Sequence, residues 1–145
     1  MAQTDNFRFG FRVRYSEIDY QGIVYFAHFL TYFDVAIHEF FRALPYDYTE
    51  TRKRTGTDFN IVRAVVEYKK PLRFDERFEV EVQLGRIGRT SLTFEPKLLV
   101  LGEAEPRAGG EAVWVHADQA TNRSVPLPAE LLELLDQRGN AASKS

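Results

Sequence analysis

Residues 24–44 read VYFAHFLTYFDVAIHEFFRAL. Tyr25, Phe26, Phe29, Leu30, Tyr32, Phe33, Val35, Ala36, Ile37, Phe40, Phe41 and Leu44 are apolar or aromatic. The polar positions are His28, Thr31, Asp34, His38, Glu39 and Arg42, and steps of three and four place 28, 31, 34, 38 and 42 on one narrow stripe. A surface helix shows the reverse balance. The stretch therefore reads as a long helix that needs cover on most sides, and a curved sheet wrapped around it is the simplest cover. Asp34, His38 and Arg42 stand at i, i+4 spacing, so the first expectation is mutual support along the stripe.

The flanking segments supply that sheet. In residues 7–15, FRFGFRVRY, Phe7, Phe9, Phe11, Val13 and Tyr15 fall on one face and Arg8, Arg12 and Arg14 on the other, as in a half-buried strand. Residues 16–23 hold Gly22 and read as a turn or loop. FNIVRAVVEYKKPL (59–72) is a second strand ending near Pro71. FDERFEVEVQL (74–84) alternates Phe78, Val80, Val82 and Leu84 with Glu79, Glu81 and Gln83. GRIGRTS (85–91) is a hairpin turn, and LTFEPKLLVL (92–101) the next strand, with Pro96 pointing to an edge or a bulge. EPRAGG (105–110) is a turn, EAVWVHADQAT (111–121) the last strand, and VPLPAELLELLDQ (125–137) a short closing helix with proline near its start. Hairpins between the late strands imply an α+β domain with a mostly antiparallel sheet of about five strands.

The chain of 145 residues suits one domain, with a core over about 7–136 and a small polar tail, 138–145, expected to be disordered. Aromatic residues make up 14%, including twelve Phe and seven Tyr. A formal net charge of −2 gives no broad field for nucleic acid or an anionic membrane. There is no cysteine, which excludes disulfides, a thiol nucleophile and cysteine-ligated metal. His28, His38 and His116 are scattered and form no recognisable metal motif. The first residues, MAQTDNFRFGF, lack the pattern of a signal peptide, and no apolar run has the length of a membrane span. The expected setting is the cytoplasm.

The start of the long helix draws attention next. GIVYFA (22–27) offers no Ser, Thr, Asp or Asn in the capping place. The first amides of a helix need partners, and their outward donors suit an oxyanion or a polarised carbonyl. Asp19 lies just upstream on the loop. It reads as a cap, as a carboxylate nucleophile or general base facing a carbonyl held by the helix start, or as a ligand clamp without chemistry. Glu17, two residues away, reads as structural or supporting.

Arg12, Tyr15, Glu17, Asp19, Gly22, Ile23 and Val24, followed by the aromatic helix, resemble the opening of hotdog-fold acyl-CoA thioesterases of the 4-hydroxybenzoyl-CoA thioesterase type. YKKPLRFDERFEVEV, GRTSLTFEPKL and TNRSVPLPAELLELL extend the likeness over roughly 10–135. The resemblance implies a long central helix wrapped by an antiparallel sheet. It also implies dimers joined edge to edge, often paired into tetramers, with active sites at the dimer interface. The implied activity is hydrolysis of an acyl-CoA to free acid and CoA without a cofactor. Asp19 matches the catalytic aspartate and Phe26 the position whose backbone N–H binds the thioester carbonyl. Gly22, Ile23, Val24 and Tyr25, with Arg89, Thr90 and Ser91 of the hairpin, match substrate-binding positions. At the Phe26 position many relatives carry His or Tyr, and this chain departs from them. Lys69, Lys70, Arg86 and Arg89 are candidate partners for the CoA phosphates.

Two rival functions fit the same fold. A hydroxyacyl-thioester dehydratase needs an acid and a base around the α and β carbons, and no His stands beside Asp19 in the loop. A non-catalytic acyl-CoA-binding or scaffold protein is the other. No Gly-x-Ser-x-Gly elbow supports a serine hydrolase.

Overall fold

The computed structural model describes residues 6–144, the side chains of 139–144 excepted. In chain order the elements are β1 (Phe7–Arg12), a 3-10 turn (Tyr15–Glu17), α1 (His28–Ala43), α2 (Tyr48–Thr55), β2 (Thr57–Tyr68), β3 (Arg77–Ile87), β4 (Ser91–Val100), β5 (Ala108–Asp118) and α3 (Ala129–Lys144). The strands form one curved antiparallel sheet in the order β1-β3-β4-β5-β2. Helix α3 runs on to Lys144 and so takes in 138–144 of the stretch expected as a disordered tail, with Arg138 lying over the Phe40 ring at 5.1 Å; residue 145 lies outside the described residues.

Helix α1 lies across this sheet. Phe29, Tyr32, Phe33, Ala36, Ile37, Phe40 and Phe41 are its buried residues. They meet the alternating inner positions Phe78, Val80 and Val82 of β3, Leu92, Phe94 and Leu98 of β4, and Trp114 of β5. Phe41 shows how dense this packing is, with its ring 5.4 Å from Trp114, 5.8 Å from Phe94 and 6.0 Å from Phe59. Burying each such side chain contributes about 1.5–3 kcal/mol, and the ring pairs add to that.

Several expectations are corrected. The helix starts at His28 rather than residue 24, because Ile23 and Val24 are held in strand-like bridges to Arg73 and Ile18, with Val24 N–H on Leu72 O (2.8 Å) and Tyr25 N–H on Glu17 O (2.9 Å). Its open side is also wider than one polar stripe: Leu30 and Val35 are 43% and 36% exposed, since the sheet covers one side of the cylinder. Along that side His38 Nδ1 lies 2.7 Å from the Asp34 carbonyl oxygen, whereas Arg42 turns to Glu39 at 2.6 Å. The expected chain holds between Asp34 and His38, whose Oδ1 and Nδ1 lie 3.5 Å apart, and is broken at Arg42.

Pro96 sits in a central strand, not at an edge. It stands opposite Val82 of β3, while pairing with β5 lapses between Phe94↔Ala112 and Lys97↔Gly109. That gap accommodates the missing N–H. Strand β5 begins at Ala108, so Gly109 and Gly110 belong to the ladder and not to the preceding turn. Strand β3 likewise runs on to Ile87, which shrinks the hairpin to residues 88–90.

Helix α2 is additional to the elements predicted from sequence. Its signals are local: the Asp47 side chain accepts from Thr49 and Glu50 N–H, and Gly56 closes the helix at φ 74°.

Candidate active site

Between β1 and α1 the chain makes a small hairpin. Ile18 bridges Val24, Asp19 N–H donates to Ile23 O at 2.9 Å, and Gly22 N–H returns to Asp19 O at 3.0 Å. Gly22 has φ 81°, a left-handed value that an L side chain would strain. Ile23 in turn bridges Arg73, so the hairpin is sewn to the segment that leads into β3.

The two acids of this loop have different tasks. Glu17 is 6% exposed. It accepts from the Arg14 backbone N–H at 2.8 Å, the Arg14 guanidinium at 3.0 and 3.1 Å, and the Tyr32 hydroxyl at 2.8 Å. It ties the loop to α1, which is the supporting role expected for it. Asp19 is half-buried. Its Oδ1 accepts from Gln21 N–H at 2.8 Å, and Oδ2 meets no protein donor among the described residues.

Burial pushes the Glu17 carboxyl up, but the bonds from Arg14 N–H, Tyr32 and the guanidinium outweigh it and hold the group below its ordinary 4.5. Burial and then Glu17 push the Tyr32 hydroxyl up, so it stays a donor. A carboxyl with a depressed folded-state pKa binds its proton first in the unfolded chain. Its contribution is therefore complete above the ordinary value and is lost as pH falls through the folded one. Glu17→Gln is expected to be less stable at pH 7 and to show a flatter fall of urea midpoint below pH ~4.5 than the parent. Parallel curves for the two proteins would rule this linkage out.

Past the loop, the chain enters α1 through three i→i+3 bonds: His28 N–H to Tyr25 O, Phe29 N–H to Phe26 O and Leu30 N–H to Ala27 O. Ala27 is the N-cap and supplies no side-chain cap. Beside this turn lies an apolar pocket of about 290 Å³, lined by Ile23, Val24, Phe26, Phe29, Tyr68, Lys69, Lys70 and Pro71. Its rim is held by Arg107, whose carbonyl accepts from Lys69 and Lys70 N–H and whose guanidinium reaches Pro71 O and the Glu76 carboxylate.

The structure thus brings Ile23, Val24 and Phe26 together at one pocket, with Asp19 and Gly22 in the hairpin that carries Ile23, and Tyr25 and Phe26 in ring contact at 4.8 Å. Lys69 and Lys70 join them. Arg89, Thr90 and Ser91 do not. They sit at the opposite end of the β3–β4 hairpin, where Thr90 O accepts from His116 N–H and Arg89 O from Leu127 N–H. Arg86 lies at that same far end, on the last turn of β3. Tyr68 escaped the sequence reading. Its hydroxyl donates to Phe26 O at 2.8 Å, across 42 residues, and no local pattern links the two. A separate groove of about 420 Å³ at the other end of α1, lined by His38, Phe41, Arg42 and Tyr48 among others, shares none of these groups.

A model of the thioesterase-like superfamily matches residues 13–135. The chain belongs to that superfamily. A protein of Aquifex aeolicus (strain VF5), provisionally named an esterase, is 34% identical over 124 residues, covering 86% of this chain and 93% of that protein. The acyl-CoA thioester hydrolase YbgC of Escherichia coli O157:H7 is 28% identical over 107 residues, covering 70% and 79%. A crystal structure of an Aquifex aeolicus protein superposes with a TM-score of 0.80 at 31% identity, covering 89% of this chain and 98% of that one. The thioesterase-like chain has the hotdog fold of its structural neighbours and is a thioester hydrolase. Among the described residues no helix is long and apolar enough to cross a membrane.

Proposed function

We propose that this chain hydrolyses an acyl-CoA thioester to a free acid and CoA, with Asp19 as nucleophile or general base and the Phe26 N–H holding the carbonyl oxygen. The observation that carries the reading is the entry to α1. Phe26 N–H has no acceptor among the described residues, beside an apolar pocket and just after a hairpin whose Asp19 Oδ2 is unengaged. A thiolate leaves readily, so a carboxylate suffices. Asp19 attacks the carbonyl carbon, or takes a proton from a water that attacks it. The C–S bond then breaks and CoA departs as thiolate. On the first route water hydrolyses the anhydride left on Asp19, releasing the acid and restoring the carboxylate. On the second the acid forms directly and Asp19 returns its proton to the thiolate. Negative charge gathers meanwhile on the carbonyl oxygen, where one backbone donor contributes about 3 kcal/mol in the transition state. The reaction needs no cofactor, since CoA is part of the substrate. The Phe26 side chain is not required for this task, which accommodates its departure from His or Tyr.

Lys69 and Lys70 at the pocket suit the phosphates of CoA. A second copy of the chain completes the site in this reading. Strand β2 is an edge of 12 residues with Ile61 and Val62 54% and 60% exposed, and an open edge of this kind invites a partner strand. Antiparallel pairing of two β2 edges places the far end of one sheet beside the near end of the other. The Arg89–Thr90–Ser91 hairpin of a second copy then comes to the end that holds Asp19. Two such dimers can pair into a tetramer. The proposed setting is the cytoplasm.

The test is thiol release from short, medium, long and aromatic acyl-CoAs. Release from at least one is expected. Hydration of crotonyl-CoA without thiol release would instead make the protein a hydratase. Acyl-CoA binding without turnover on any substrate would make it a binding protein.

A further inference from the structure

We propose that Tyr68 is a positioning residue for the carbonyl-binding turn, and that the Ala27 N–H is a second donor beside that of Phe26. The inference rests on the thioesterase reading and adds to it a residue from the sheet edge and a second amide.

The backbone donors of residues 24–30 can be followed one by one. Val24, Tyr25, His28, Phe29 and Leu30 all donate to backbone carbonyls, whereas Phe26 and Ala27 donate to none among the described residues. Both residues are exposed, so these two amides, left free as the first donors of a helix are, stay open to a ligand at the helix mouth. The Ala27 N–H belongs to the same rigid peptide plane as the Phe26 carbonyl. That carbonyl is held from two sides, by Phe29 N–H at 3.3 Å and by the Tyr68 hydroxyl at 2.8 Å. Holding the oxygen of a planar unit aims the N–H on its other side. A donor on the oxygen also withdraws density from the peptide, which makes its N–H a stronger donor.

The tyrosine itself is well placed to do this. Its ring meets Phe29 at 5.0 Å and Phe26 at 6.5 Å, both edge-on. It stands at the last residue of β2, opposite Ala108 of β5. Burial pushes its hydroxyl pKa up, so it remains a donor at neutral pH. The sheet edge thereby sets the tilt of one peptide at the helix start.

Tyr68→Phe in the full chain tests this, because it keeps the ring and removes only the hydroxyl. The first readout needs no substrate: the Ala27 amide resonance in a proton–nitrogen spectrum. It is expected to move, while the amides of residues 34–42 stay in place. The second is turnover of the best acyl-CoA of the panel. kcat is expected to fall roughly tenfold, less than the loss on deleting a donor outright, with KM within about twofold and an unchanged melting temperature. An unmoved Ala27 amide overturns the proposal whatever the activity. Unchanged kcat, or a rise in KM alone, in a wild type that does hydrolyse acyl-CoA overturns it and leaves the thioesterase reading standing. If wild type releases thiol from no acyl-CoA, the thioesterase reading falls, and the catalytic part of this proposal falls with it.

Discussion

Asp19→Asn is expected to lower kcat for acyl-CoA hydrolysis by roughly 10³-fold, within the range for loss of a general base or its equivalent. KM is expected to change little, since the pocket beside α1 is built from Ile23, Val24, Phe26, Phe29 and Tyr68 and is untouched. The substitution separates chemistry from scaffolding cleanly. An amide oxygen still accepts from Gln21 N–H, the bond that Asp19 Oδ1 makes at 2.8 Å. The two backbone bonds that close the hairpin, Asp19 N–H to Ile23 O and Gly22 N–H to Asp19 O, do not involve the side chain. The loop is thus expected to keep its shape and the protein its melting temperature. What disappears is the second oxygen as a base or nucleophile. A folded variant with parental turnover would reduce Asp19 to a loop cap and move the search for the reacting group elsewhere.

Gly110→Ala is expected to destabilise the fold by about 3 kcal/mol, the upper part of the usual range for overpacking. In the β2–β5 ladder Gly110 stands opposite Val66. A Cβ there would lie 2.0 Å from the Val65 carbonyl oxygen and 3.2 Å from Phe33 Cε2. The first neighbour is backbone and has no rotamer to escape into. The second belongs to a ring that is 3% exposed in the core. Relief requires β2 to move off β5. Tyr68 lies two residues beyond Val66 on the same strand, so turnover is expected to fall along with stability. The melting temperature should drop by roughly 10 °C. Gly10→Ala on β1 is the matched control: nothing lies within 4 Å of its added Cβ, and its effect should stay within about 0.5 kcal/mol. Equal melting temperatures for Gly110→Ala and the parent would show that β5 does not approach β2 so closely.

The sequence by itself determined the elements whose signals are local. The alternation of Phe78, Val80 and Val82 shows in neighbouring residues, as do the aromatic load of the helix and the acid-to-glycine step from Asp19 to Gly22. Periodicity is a property of a short stretch, so it survives without knowledge of the partner. Even α2 carried such marks, in Asp47 and Gly56. Tertiary structure alone decided which segments meet. It put Pro96 inside the sheet, because strand order depends on pairing across the whole chain. It shortened α1 by holding Ile23 and Val24 in bridges to Arg73 and Ile18. It made Glu17 an anchor through Tyr32, brought Tyr68 onto Phe26, and left Arg89–Thr90–Ser91 at the far end of the sheet. Each of these outcomes joins residues distant in sequence. Such contacts are chosen by closure of the whole fold, where the geometry of many packed groups outweighs the preference of any one segment.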